Sequence, residues 1–139
     1  MAELFHLDVV TPERSLLSRN VEEIIAPGSQ GEFGVFKGHA AFLTTLKHGM
    51  VTVYDDEGGK SYMAISGGFC EVASDKVILL AEHAELAKEI DLDQTRKDLE
   101  ISEEKLRCLT KDDPEVSKWE NRKIMAEVKI KVAETVKAN

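Results

Sequence analysis

The residues with the most capacity for chemistry in this 139-residue chain lie in three places. The densest is Gly31-Glu32-Phe33-Gly34-Val35-Phe36-Lys37-Gly38-His39-Ala40. Glycine-rich loops cradle phosphates with backbone N–H groups, but beside a Gly-Lys-Ser/Thr step and a helix N-terminus. Neither follows here. The segment therefore reads as a structural or docking loop, whose glycines serve bulges, tight turns or close backbone approach. The second place is Leu92-Asp93-Gln94-Thr95-Arg96-Lys97. Asp93 and Arg96 could hold a ligand. They could equally supply an acid to the helix N-terminus and an i,i+3 ion pair. The third is the basic set Arg122, Lys123 and Lys129, with Lys131 and Lys137. Their spacing makes no single stripe, so they read as a solvated helix face, with an acidic partner as the alternative.

Other reactive types have no companions. His6, His39, His48 and His83 show no metal-ligand spacing, and His39, between Gly38 and Ala40, reads as a hydrogen-bonded turn residue. Cys70 and Cys108 fall in different elements and suggest neither a metal site nor a disulfide framework. No serine lies in a nucleophile elbow, and neither cysteine has a base nearby in sequence. No metal and no catalytic residue are expected, and an enzyme has no anchor.

The elements that must carry these residues fall into two regimes, with a break near residues 85–91. Before it, Phe5, Leu7 and Val9 alternate with more polar neighbours as in a half-buried strand. Residues 21–26 are a second strand closed by Pro27-Gly28. Residues 50–54 and 61–65 flank an acid- and glycine-rich turn, and residues 69–72 and 77–81 flank another, so two hairpins are expected. All nine glycines lie between Gly28 and Gly68, the punctuation of a sandwich or barrel. After the break, Leu92, Thr95, Leu99, Ser102, Leu106 and Leu109 follow steps of three and four and form a narrow helical stripe. Asp113 and Pro114 then suit the N-cap and first position of a second helix, whose apolar face is Trp119, Ile124, Val128, Val132 and Val136. The expectation is an α+β chain: an antiparallel β-sandwich head over residues 1–85 and an antiparallel helical hairpin over residues 86–139. Each helical seam is thin, so the hairpin should lean on the head, on a partner, or on both in turn.

Composition narrows the class. The chain is 42% hydrophobic and 32% charged, with a net charge of −8, which argues against a nucleic-acid partner. No apolar run approaches the roughly 20 residues of a membrane span. The first residues, Met1-Ala2-Glu3-Leu4, lack the pattern of a signal peptide, and a reducing cytoplasm is the expected compartment. Residues 118–139 hold six bases and three acids on an otherwise acidic chain.

Four stretches in order, His6 to Pro12, Gly31 to Ala40, Leu43 to Met50 and Ser66 to Val72, resemble the epsilon subunit family of bacterial and chloroplast ATP synthases. The resemblance implies a non-catalytic central-stalk subunit that turns with the gamma subunit and the membrane ring of c subunits. It would sit peripherally on the cytoplasmic face of the bacterial inner membrane. Gly31, Glu32, Phe33, Gly34, Gly38 and His39 would form the end that docks on the c ring and gamma, with Glu32 the contacting carboxylate and His39 shaping the turn. The tail would fold on the head or rise toward the alpha and beta subunits and inhibit ATP hydrolysis, with Arg122, Lys123 and Lys129 meeting acidic beta segments. Asp93 and Arg96 match part of a motif through which some members bind regulatory ATP, although Lys97 stands where that motif has Ala. A free-standing adaptor whose hairpin binds another helical partner is the competing expectation.

Overall fold

The computed structural model describes residues 3–138. Seven strands come first: β1 (Phe5–Val10), β2 (Ser15–Gly28), β3 (Gly31–Phe36), β4 (Phe42–Leu46), β5 (Gly49–Asp55), β6 (Lys60–Val72) and β7 (Lys76–Leu86). A 3-10 turn, Ala87–Glu89, leads into α1 (Leu92–Cys108) and α2 (Val116–Ala138). The strands pair in a closed circuit, β1 to β7 to β6 to β5 to β2 and back to β1. β3 and β4 extend β2 and β6 beyond it. The long strands β2 and β6 thus serve both layers of the sandwich. One pair departs from the expected antiparallel pattern: β1 and β7 run parallel.

The core explains the alternation read in β1. Phe5, Leu7 and Val9 are all buried, and they join Val21, Ile24, Val51, Val53, Met63, Ile65, Leu79 and others in one cluster of 17 residues. The run Tyr62-Met63-Ala64-Ile65 is buried at every position because both its faces are covered. Met63 and Ile65 point to the core, while Tyr62 and Ala64 meet Val132 of α2 in a second, smaller cluster. The residue pairs Thr52↔Tyr62 and Met50↔Ala64 form the shelf on which α2 lies.

α1 follows the expected seam, whereas α2 begins at Val116, two residues after the expected Pro114. Thr95 and Ser102 are buried, and Leu92, Leu99, Leu106 and Leu109 are half-buried. Asp91 caps α1 by accepting the Gln94 N–H at 3.1 Å, and Asp93 stands in the first turn as an acid near the helix N-terminus. Asp113 accepts the Glu115 N–H at 2.8 Å ahead of α2. Ile124 and Val136, assigned above to the apolar face, are 41% and 44% exposed. The positions that α2 buries are Trp119, Ala126 and Val132, because a straight helix drifts off a strict four-step row.

Candidate functional site

The glycine-rich segment is a strand over Gly31–Phe36, then a turn at Lys37 and Gly38 and irregular chain to Ala40. β3 pairs along its length with β2, from Glu23↔Phe36 to Gly28↔Gly31, around a turn at Ser29 and Gln30. Roughly 17 Å of extended chain therefore separates Gly31 from Phe36. Gly31 and Glu32 sit at one end of the strand and Gly38 and His39 beyond the other, but the Phe42 ring bridges Phe33 and His39, lying 5.9 Å from the His39 ring. At the first end, Glu32 is exposed opposite Pro27, and Phe33 packs edge-on against Phe42 at 5.4 Å. At the second, Gly38 takes φ +83° and donates to Ser74 O, while His39 Nδ1 lies 2.8 Å from Ala40 O. Glycine is required for backbone reasons at Gly31 (φ +128°) and Gly38. It is not required at Gly34, where a Cβ would have ordinary neighbours at 3.5 Å and beyond.

A second surface was not anticipated from the residue pattern. On the outer face of the sheet, Val10, Leu80 and Phe69 stand side by side across β1, β7 and β6. Phe69 is 53% exposed and Leu80 49%, and Leu43 on the adjoining β4 is 68% exposed. The signal was present in the run Val77-Ile78-Leu79-Leu80-Ala81. A strand apolar on both faces needs cover on both faces, and here the chain covers only one.

The third feature lies between head and tail, where α2 and the sheet diverge into a cleft of about 690 Å³. Arg14, Lys118, Arg122 and Lys129 line it together with Glu13, Glu82 and Glu85. Lys129 Nζ lies 3.4 Å from Glu85 Oε2, linking tail to head. Arg122 stacks over the Trp119 ring at 4.8 Å, with Lys105 and Lys118 on the same ring at 5.7 and 5.2 Å. The basic stripe that sequence spacing concealed is Lys118, Arg122 and Lys129, whose intervals of four and seven place them on one face. Lys123 lies off that face. Asp93 and Arg96 are both exposed on α1, and neither lines this cleft or the 270 Å³ groove between the helices. What the cleft offers chemically is a cationic wall, Lys118, Arg122 and Lys129 of α2, set against glutamates of the head.

At the hinge, Arg14 makes a bidentate pair with Glu89, both bonds 3.0 Å, and Glu89 also accepts the Leu86 N–H at 2.9 Å. The Arg14 hydrogen bonds, backed by that N–H, hold the Glu89 carboxyl below its ordinary range. Cys70 is buried in the core, and burial pushes its thiol up to about 12, so it is inert packing. Cys108 is exposed at the end of α1.

Residues 4–87 match the family model described as "ATP synthase, Delta/Epsilon chain, beta-sandwich domain". An ATP synthase epsilon chain of Geotalea uraniireducens is 42% identical over 133 residues, covering 96% of both chains. The chain belongs to the ATP synthase epsilon-chain family. An epsilon chain of Anaeromyxobacter dehalogenans is 43% identical over 127 residues, covering 91% of this chain and 96% of that one. Among solved structures, a chain of the Euglena gracilis mitochondrial ATP synthase OSCP/F1/c-ring assembly superposes with a TM-score of 0.70 at 26% identity. That match covers 97% of this chain and 80% of the other. A chain from the Tetrahymena thermophila central stalk and c ring, at 14% identity and a TM-score of 0.58, shares the epsilon-family fold.

Proposed function

We propose that this chain is a non-catalytic rotor subunit of the central stalk of a proton-translocating ATP synthase. Its rigid head docks on gamma and the c ring, and its helical tail restrains ATP hydrolysis. The observation that carries the reading is the outward apolar row of half-buried Val10 and exposed Leu80 and Phe69, with exposed Leu43 beside it, presented by a closed strand circuit. Contiguous apolar surface on an otherwise charged chain marks a protein interface. We assign that row to gamma, and the polar turn carrying Gly31 and Glu32 to the polar loops of the c ring. Such a protein works peripherally on the cytoplasmic face of the membrane, held there by the complex, and no helix among the described residues is long and apolar enough to cross a bilayer.

In this structure the tail lies on the head, with Lys129 engaged by Glu85 and Arg122 by Trp119. The same side chains, with Lys123, are the ones we propose meet acidic beta segments when the tail rises. Surface pairs contribute roughly 0–1 kcal/mol each, so the Lys129–Glu85 pair adds little to the docked form beyond the Tyr62, Ala64 and Val132 cluster. Regulatory ATP belongs to the same proposal. Asp93 and Arg96 are open to solvent on α1, and a phosphate chain could also face the cationic wall of the cleft. Titrating the isolated chain and its Arg96→Ala and Lys118→Ala variants with ATP distinguishes the two positions.

The decisive experiment is co-assembly. Phe69→Glu and Leu43→Glu, both on the wet face, should leave the head's melting temperature within a few degrees and abolish co-purification with gamma. Undiminished assembly of those variants would overturn the docking assignment. Deleting residues 86–139 from an assembled complex should raise ATP hydrolysis, and an unchanged rate would show that the helices are not a brake.

A further inference from the structure

Where the head, the hinge and both helices meet, the chain leaves a groove of about 720 Å³ that none of the surfaces above uses. Its apolar wall is Leu17, Leu86, Ile90, Leu92 and Val136. None of the five is fully buried. Leu17 and Leu86 pack on the head core, and Ile90 packs on the Tyr62–Val132 cluster. The groove is thus the seam at which two apolar clusters fail to close over one another. Its volume falls within the roughly 300–1,000 Å³ of small-molecule sites.

The charge around it runs against the rest of the chain. Arg19, Lys60, Lys88 and Lys137 line the groove, and no acid does, in a chain with 26 acids and 18 bases. The head–tail cleft, by contrast, mixes four Lys/Arg side chains with three glutamates. Arg19 answers Asp55 and Asp56, and Lys60 lies over the Tyr54 ring. Among the described residues, Lys88 and Lys137 have no carboxylate within 4.0 Å. They stand on the hinge and on the last turn of α2.

An apolar wall beneath a cationic rim, in which Arg19 is paired but Lys88 and Lys137 have no carboxylate within 4.0 Å among the described residues, is complementary to an amphiphilic anion. A neutral hydrocarbon leaves the rim unanswered, and an inorganic anion leaves the wall wet. We propose that this groove binds a free long-chain fatty-acid carboxylate, its chain along Leu17, Leu86, Ile90 and Val136 and its carboxylate at Lys88 and Lys137. Because the walls come from head and tail together, the site is complete only while the tail is docked. Bound carboxylate therefore stabilises the docked form, as any ligand favours the state that binds it. This site is a property of the isolated chain and does not rest on assembly with a rotor.

The test uses the full-length chain and dodecanoate below its micelle concentration, followed by titration calorimetry and by hydrogen exchange of α2. Saturable one-to-one binding is expected, with slower exchange in α2 and at least tenfold weaker binding of octanoate. Dodecyltrimethylammonium and dodecanol should bind at least tenfold more weakly than dodecanoate. The double variant Lys88→Gln, Lys137→Gln, at two exposed positions, should lose at least tenfold in affinity with its own melting curve unchanged. Absence of saturation overturns the proposal. So does equal binding of the neutral or cationic amphiphile, full affinity in the double variant, or binding only to vesicles containing phosphatidylglycerol.

Discussion

The head and the tail of this molecule are held by different physics. The head buries 17 core residues inside a strand circuit that closes on itself, so the circuit's backbone groups and its inward apolar faces are satisfied together, while its outer apolar row stays open. The tail has no such interior. The fully buried positions of α1 are Thr95 and Ser102, whose hydroxyls bond back to Asp91 O and Asp98 O of their own helix at 2.7 and 2.8 Å. Small polar residues at the seam let the helices approach closely, but they bury little apolar area. α2 rests on the head through the few residues around Tyr62, Ala64 and Val132, then parts from it across a polar cleft. One chain therefore joins a self-sufficient anchor to an appendage that borrows its stability. That combination suits the proposed role, in which the head stays docked while the tail changes position.

Truncating a core side chain should separate the two most widely. Leu79→Ala, at a position with no solvent exposure, should cost about 2–5 kcal/mol of head stability by chemical denaturation. Leu99→Ala in α1, half-buried, should cost under about 1.5 kcal/mol and leave the head transition in place. Equal losses would mean that head and tail share one core.

Backbone substitutions sharpen the same contrast within the head. Gly68 has φ +132°, and a Cβ there would lie 1.9 Å from Leu80 O. Gly68→Ala should therefore destabilise by about 1–3 kcal/mol or more, through strain and displaced strands. Gly34→Val, on an extended strand with room for a side chain, should shift stability by less than about 1 kcal/mol. Any loss of coupling in that variant would then report on docking and not on folding.

The smallest effect concerns the hinge. Glu89 has its carboxyl pKa depressed, chiefly by the Arg14 hydrogen bonds. A depressed folded-state value means the contribution is present above the unfolded value of about 4.3 and fades as pH falls through the folded one. Tail docking, followed by exchange of α2 amides, should therefore weaken modestly below pH 4.3, and Glu89→Gln should flatten that dependence. An identical pH profile in the variant would remove the pair from the account.

How much of this was legible in the residues depended on which face each element leaves wet. β1 was plain, because Phe5, Leu7 and Val9 alternate with partly wet neighbours. The α1 stripe from Leu92 to Leu109 was plain for the same reason at helical spacing. β3 was misread because its glycines resemble a loop, and only pairing with β2 makes Gly31–Phe36 a strand. β4 was unread because Phe42, on the same face as the buried Leu46, is partly exposed at the strand's start, and Leu43 on the opposite face is apolar too, so no clean alternation appears. The outer apolar row needs three strands in register before Val10, Leu80 and Phe69 become neighbours. Lys118 was passed over because the basic residues were compared by adjacency, while the face that unites them spans twelve residues of helix, Lys118 to Lys129.

Native-state hydrogen exchange on the full chain tests the central contrast most directly, since it reads head and tail in one molecule. Amides of β1, β6 and β7 should exchange only through global unfolding, while those of α1 and α2 should open together at a markedly lower free energy. Protection in α1 and α2 equal to that in β6 and β7 would contradict the account, because the tail would then belong to the core and could not leave the head while the head stays folded.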